Sequence, residues 1–198
     1  MEQPSPPPPD RAPIPLVCTA IFVYGALLGV ALLWAALAGD SLVYATADAA
    51  RRGVRPLRDV GLGLISGTLV ILLSDQLTRR TRAGDALARA LAGTLGRLTP
   101  AQCALLAGLS AVAEEAFFRG VLQPWLGLLA ASLLFGLAHL VPRRELLPWP
   151  AFAVAAGFLL GILFEVTGNL VAPITAHATI NAVNLYLLSS RYGAVLKN

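Results

Sequence analysis

Apolar runs of about twenty residues recur along this chain, separated by short stretches rich in proline, glycine and arginine. A run of that length crosses the hydrocarbon layer as a helix, because about 20 residues at a rise of 1.5 Å match a thickness of about 30 Å. Within lipid every backbone polar group must be satisfied internally, and helices do this inside one segment. A soluble alternative fails on composition. Of 198 residues, 57% are hydrophobic and 13% charged, and the mean hydropathy is +0.71, which leaves too little charge to cover a soluble surface. The expected fold is all-α, a polytopic membrane helical bundle.

About six spans are expected, near Leu16 to Ala38, Val60 to Leu77, Ala101 to Leu122, Trp125 to Val141, Leu147 to Val166 and Leu170 to Ser189. Breakers mark their limits: Pro56 precedes the second, Thr99 and Pro100 open the third, Pro124 ends it, Pro142 closes the fourth, and Gly168-Asn169 turns into the sixth. Between the second and third, Leu87, Leu91, Leu95 and Leu98 share one stripe, the pattern of an interfacial amphipathic helix. Residues 1–15, with Pro6 to Pro9 consecutive, suit a disordered, proline-rich tail of polyproline II character. That tail lacks a basic n-region and a small-residue cleavage site, so the first apolar run is expected to stay as a span. The chain then divides into the tail, an N-terminal unit over 16–100 with two spans and the amphipathic segment, and a core of four spans over 101–190.

Cations set the expected orientation. With the N-terminus inside, Arg11, Arg79, Arg80, Arg82, Arg89, Arg97, Arg143, Arg144, Arg191 and Lys197 are cytoplasmic, against Arg51, Arg52, Arg55 and Arg58 outside. The positive-inside rule therefore puts both termini in the cytoplasm. The net charge of +4 belongs to these flanks, and nothing interleaves aromatic and basic residues as a nucleic-acid surface would. Cys18 and Cys103 have neither a paired framework nor metal-ligand spacing around them and read as small core residues. Trp34, Trp125, Trp149 and Tyr192 read as interfacial belt residues.

Three strings place polar chemistry inside the apolar core: Glu114-Glu115-Ala-Phe-Phe-Arg119, Phe135-Gly-Leu-Ala-His139 and His177-Ala-Thr-Ile-Asn181. An ionisable group at the centre of the bilayer costs at least about 2.5 to 3.5 kcal/mol, so such residues need partners or a task. Glu115 and Arg119 are four apart and share a helical face, where carboxylate and guanidinium neutralise one another. Glu114 leaves the helix about 100° away and has no intrahelical cation, which makes it the candidate general base. His177, Asn181 and Asn184 form one polar stripe that must face protein or water.

The joint pattern EExxxR, FxxxH and HxxxN resembles the CPBP family of CAAX prenyl endopeptidases and bacteriocin-processing proteins, the glutamic intramembrane proteases. The resemblance covers roughly Ala101 to Ser189 and leaves the first two spans unmatched. It implies that Glu114 and His139 activate a water, that His177 and Asn181 stabilise the oxyanion, and that Glu115 and Arg119 support them. It implies no metal and no other cofactor. The expected activity is endoproteolysis of a membrane-associated protein or peptide substrate, with CAAX-like tails, leader peptides or C-terminal sorting signals as substrate types. The arginine- and alanine-rich composition suits a bacterial inner membrane protein. Two other readings fit the same residues. One is a non-catalytic immunity or scaffold protein binding a peptide in the same cavity, or a proton relay. The other is a zinc protease using two histidines and a carboxylate, against which stand the missing HExxH and the weakness of asparagine as a zinc ligand.

Overall fold

A computed structural model describes residues 14–192; the expected tail up to Pro13, with Arg11, and Lys197 lie outside it. The described residues are helical, with no strand and one isolated bridge between Tyr44 and Asn169. In order they form α1 (Ile14–Ala38), α2 (Ala47–Arg52), α3 (Pro56–Arg80), α4 (Arg82–Leu95), α5 (Pro100–Glu115), α6 (Gln123–Ala138), α7 (Pro148–Thr167) and α8 (Val171–Tyr192). Helix boundaries follow local chemistry. Thr99 accepts from Gln102 N at 3.2 Å while the Gln102 side chain accepts from Thr99 N at 2.9 Å, a capping box that fixes the start of α5. Thr81 ends α3 and caps α4, so these two helices meet at a single residue.

Four segments are long and apolar enough to cross a membrane: Leu16–Ala38, Pro56–Arg80, Pro100–Ala138 and Arg144–Thr167. The count differs from the expected six for two physical reasons. The third and fourth expected spans fall within a single 39-residue stretch, in which Ala116–Leu122 takes π pitch between α5 and α6 and the non-helical Gly127 separates two helices. That stretch is about twice the length one crossing needs. It breaks at Gly127, whose φ of 80° lies in the left-handed region that glycine enters without a Cβ clash. Past that break the chain returns along itself, since the Phe135 ring meets Phe118 at 5.0 Å and His139 faces Glu114. The sixth expected span, α8, has the length but carries the polar stripe, which lowers its hydropathy.

α8 is the hub of the bundle and packs on α3, α4, α5 and α7. Small residues let it approach closely: a Cβ at Gly63 of α3 would sit 2.6 Å from the carbonyl oxygen of Ala172, and one at Gly67 3.0 Å from that of Ala176. α6 and α7 meet in the same way, with Gly136 against Val154 and the Pro150 carbonyl.

The amphipathic stripe of α4 faces protein, where an interfacial helix would have turned it to lipid. Ala88 and Ala92 are buried, and Leu87, Leu91 and Leu95 line an internal cavity. α4 therefore roofs the bundle across α3, α8 and the turn Arg144–Leu146. At its outer edge Arg89 donates to Asp85 at 2.9 Å, holding that carboxyl below its usual range, and Tyr192 of α8 donates to Asp85 at 3.1 Å. At the opposite end of the bundle, fully buried Asp59 accepts from Arg58, from the Arg55 amide and from Asn169. This knot joins the start of α3 to the α7–α8 turn.

Candidate active site

Glu114 and Glu115 end α5, immediately before the change to π pitch, an irregularity common at functional sites. Their side chains leave the helix in different directions and meet opposite nitrogens of one imidazole. Glu115 Oε1 accepts from His177 Nδ1 at 2.7 Å, and Glu114 Oε2 lies 3.9 Å from His177 Nε2. Glu115 Oε1 also accepts from Arg119 Nη1 at 3.0 Å. The other arm of the guanidinium donates to the Gly157 carbonyl of α7 at 3.0 Å, and its plane lies 4.5 Å over the Phe135 ring. Glu115 is 0% and Arg119 1% exposed, so each is the other's main compensation in a low-dielectric interior.

His139 sits at the end of α6 and is fixed from both sides. Its Nδ1 donates to the Phe135 carbonyl at 2.7 Å, and its ring lies 4.7 Å from Phe135 and 5.3 Å from Trp149. A carbonyl oxygen only accepts, so Nδ1 carries the proton and the Nε2 of a neutral ring presents a lone pair. That Nε2 lies 3.8 Å from Glu114 Oε2. Glu114 Oε2 is buried and has no hydrogen-bond partner. Asn181, one turn beyond His177 on α8, donates through Nδ2 to Ser110 Oγ of α5 at 2.9 Å.

The structure thus gathers all six residues singled out in the sequence, Glu114, Glu115, Arg119, His139, His177 and Asn181, from α5, its π extension, α6 and α8. Glu114, His139 and Asn181 line a cavity of about 460 Å³, within the range of ligand sites. Its apolar wall is shared among α1, α4 and α8, and its rim carries Asp75, Arg143 and Arg191. Asn184 lines the same space, accepting from Ser74 at 3.4 Å.

Three lining residues escaped the sequence reading. Ser110 lies one turn before Glu114 on the same face, a signal that could have been used. Trp149 packs on His139 where the belt reading had put it at the membrane interface, while Trp34 and Trp125 are exposed and meet edge to face at 5.7 Å. Tyr24 of α1 reaches the cavity from a helix with no motif. Among the described residues no group of three or more His, Cys, Asp or Glu side chains is arranged to hold a metal ion.

Part of the chain has counterparts among known proteins. Residues 97–183 match the family described as type II CAAX prenyl endopeptidase, Rce1-like. This segment is similar to Rce1-like domains. It runs from just before α5 into α8 and carries all six site residues, in agreement with the CPBP resemblance read from the sequence. The long apolar helices make this an integral membrane protein, and the matched family is one of CAAX prenyl endopeptidases. The protein named "Uncharacterized protein YpbD" of Bacillus subtilis (strain 168) is 51% identical over 77 residues, 38% of this chain. The aligned stretch spans 39% of that relative's length. No solved structure matches. α1 to α4, which supply Tyr24 and the cavity roof, lie outside the Rce1-like segment.

Proposed function

We propose that the protein is an intramembrane endopeptidase that hydrolyses a peptide bond in a membrane-associated protein or peptide, with water activated between Glu114 and His139. The observation that carries this reading is the unpartnered, buried Glu114 Oε2, which faces the Nε2 atoms of both histidines at 3.8 and 3.9 Å. Those separations exceed a direct hydrogen bond and suit a bridging water. A water donating to Glu114 Oε2 and His139 Nε2 has its oxygen lone pair free for the scissile carbonyl carbon. Glu114 takes the water proton as the C–O bond forms and returns it to the leaving amine as the C–N bond breaks.

The oxyanion formed in between needs donors already in place. His177 becomes one in its imidazolium form, because its Nδ1 proton is committed to Glu115 and only a doubly protonated ring offers Nε2–H. Glu115 holds that ring in place through Nδ1 and is itself paired with Arg119. The second donor is the Asn181 amide. No covalent intermediate and no metal enter this scheme, so activity is expected to survive strong chelation. Loss on chelation with rescue by zinc would transfer the assignment to a zinc protease.

The cavity mouth, with Arg143 and Arg191 and close to Arg79, Arg80 and Arg82, supports a cytoplasmic opening in the inner membrane with both termini on that side. Substrates of the CAAX-like, leader-peptide or C-terminal sorting type fit a cavity reached from that face. The test compares peptide termini across the membrane and secreted proteomes of cells carrying the wild-type chain or Glu114→Ala at equal expression. Termini that vanish with the variant identify substrate and bond together; unchanged termini favour a peptide-binding immunity or scaffold role.

A further inference from the structure

Ser110 has no part in the three motifs, yet it is the hydrogen-bond partner the structure gives Asn181. It lies on α5 one turn before Glu114, is 4% exposed and lines the same cavity. Its hydroxyl donates to the Ala107 carbonyl at 3.2 Å and accepts from Asn181 Nδ2 at 2.9 Å. These two bonds are linked. A serine has one proton, and with that proton given to a carbonyl, Oγ can only accept. The side of the Asn181 amide that faces Ser110 must therefore be its nitrogen.

An amide offers a donor edge and an acceptor edge of nearly the same shape, and only the donor edge can meet a developing oxyanion. With one N–H held by Ser110, the amide plane is fixed and the second N–H projects from the same nitrogen. Without Ser110 the group is free to turn over and place its carbonyl oxygen against negative charge. On the reading that Asn181 serves the oxyanion, we infer that Ser110 is a positioning residue that sets the donor polarity of Asn181. It acts through Asn181 and does not touch the reacting atoms.

Two measurements test this. In the first, termini whose formation depends on Glu114 are followed over time in cells carrying Ser110→Ala, Ser110→Thr, Asn181→Ala and the Ser110→Ala/Asn181→Ala double variant at equal expression. Asn181→Ala is expected to slow their formation on the order of a hundredfold, as loss of an oxyanion donor does, and Ser110→Ala about tenfold. Ser110→Thr, which keeps the hydroxyl, recovers most of that loss, and the double variant is no slower than Asn181→Ala alone. Losses that multiply in the double variant, or a Ser110→Ala rate equal to wild type, overturn the inference.

The second measurement needs no turnover. Asparagine-selective 15N labelling leaves four side-chain amides, those of Asn169, Asn181, Asn184 and Asn198, and Asn181→Ala identifies the Asn181 pair. The separation of its two proton shifts is expected to shrink in Ser110→Ala and to persist in Ser110→Thr; an Asn181 pair unmoved by Ser110→Ala overturns the inference. If the protease reading itself is wrong, the sign is termini unchanged by Glu114→Ala, and the amide spectrum still decides the Ser110–Asn181 pairing.

Discussion

Glu114→Gln is expected to slow peptide-bond hydrolysis by about 10²- to 10⁴-fold, the range over which a positioned general base contributes, while peptide binding stays nearly unchanged. The substitution keeps the size and shape of the side chain, and hence its spacing from His139 and His177. It replaces the proton-accepting Oε2 by an atom that in one amide orientation is a donor and in the other a far weaker base. The cavity wall, the Arg119–Glu115 pair and the Asn181–Ser110 bond are untouched, so a bound peptide meets the same surface. The check is the rate at which Glu114-dependent termini accumulate, set beside photo-crosslinking of the identified peptide to the same variant. A Gln variant that cleaves at near wild-type rate removes Glu114 from the role of base, and with it the proposed mechanism.

Arg119→Leu is expected to produce the largest loss of stability of any single change at the site, about 3–5 kcal/mol, as found when one partner of a buried pair is removed. Glu115 would keep its carboxylate at 0% exposure with the His177 ring as its remaining partner. The Gly157 carbonyl would lose its donor and Phe135 its stacked cation. Arg119→Lys should fall between leucine and wild type, since an ammonium restores charge but cannot reach Glu115 and Gly157 with one planar fork. Arg119→Leu combined with Glu115→Gln should recover part of the loss by removing the stranded charge. Thermal unfolding in one detergent, by intrinsic fluorescence, ranks the four proteins. A melt of Arg119→Leu coincident with wild type would show that the pair carries no structural load.

The polar site was legible because lipid makes polar residues conspicuous. Glu115 with Arg119, and His177 with Asn181, are local pairs fixed by helical spacing, and spacing is what a sequence displays. The convergence of Glu114 on His139 and His177 was suggested by resemblance alone, because it depends on where the chain turns back. Gly127 carries that turn, yet a glycine inside an apolar run has no signature separating a reversal from a packing contact. The fate of α4 was hidden for a related reason. An amphipathic stripe states that one face is apolar and leaves open whether lipid or protein covers it; here the small side chains of Ala88 and Ala92 let it settle on the bundle. Trp149 was placed in the belt because aromatics near span ends usually belong there, and its contact with His139 exists only in three dimensions.

The hairpin through Gly127 also sets an order of events during synthesis. Glu114 and His139 are carried on its two arms, so the acid and base come together once that one unit has inserted. His177 and Asn181 arrive with α8, made some forty residues later at about 5–20 residues per second. On the proposed mechanism, a nascent chain holding the completed hairpin has its water-activating pair but no oxyanion donors, and the unpaired half is inert. On that mechanism full activity awaits the docking of α8 between α3 and α5.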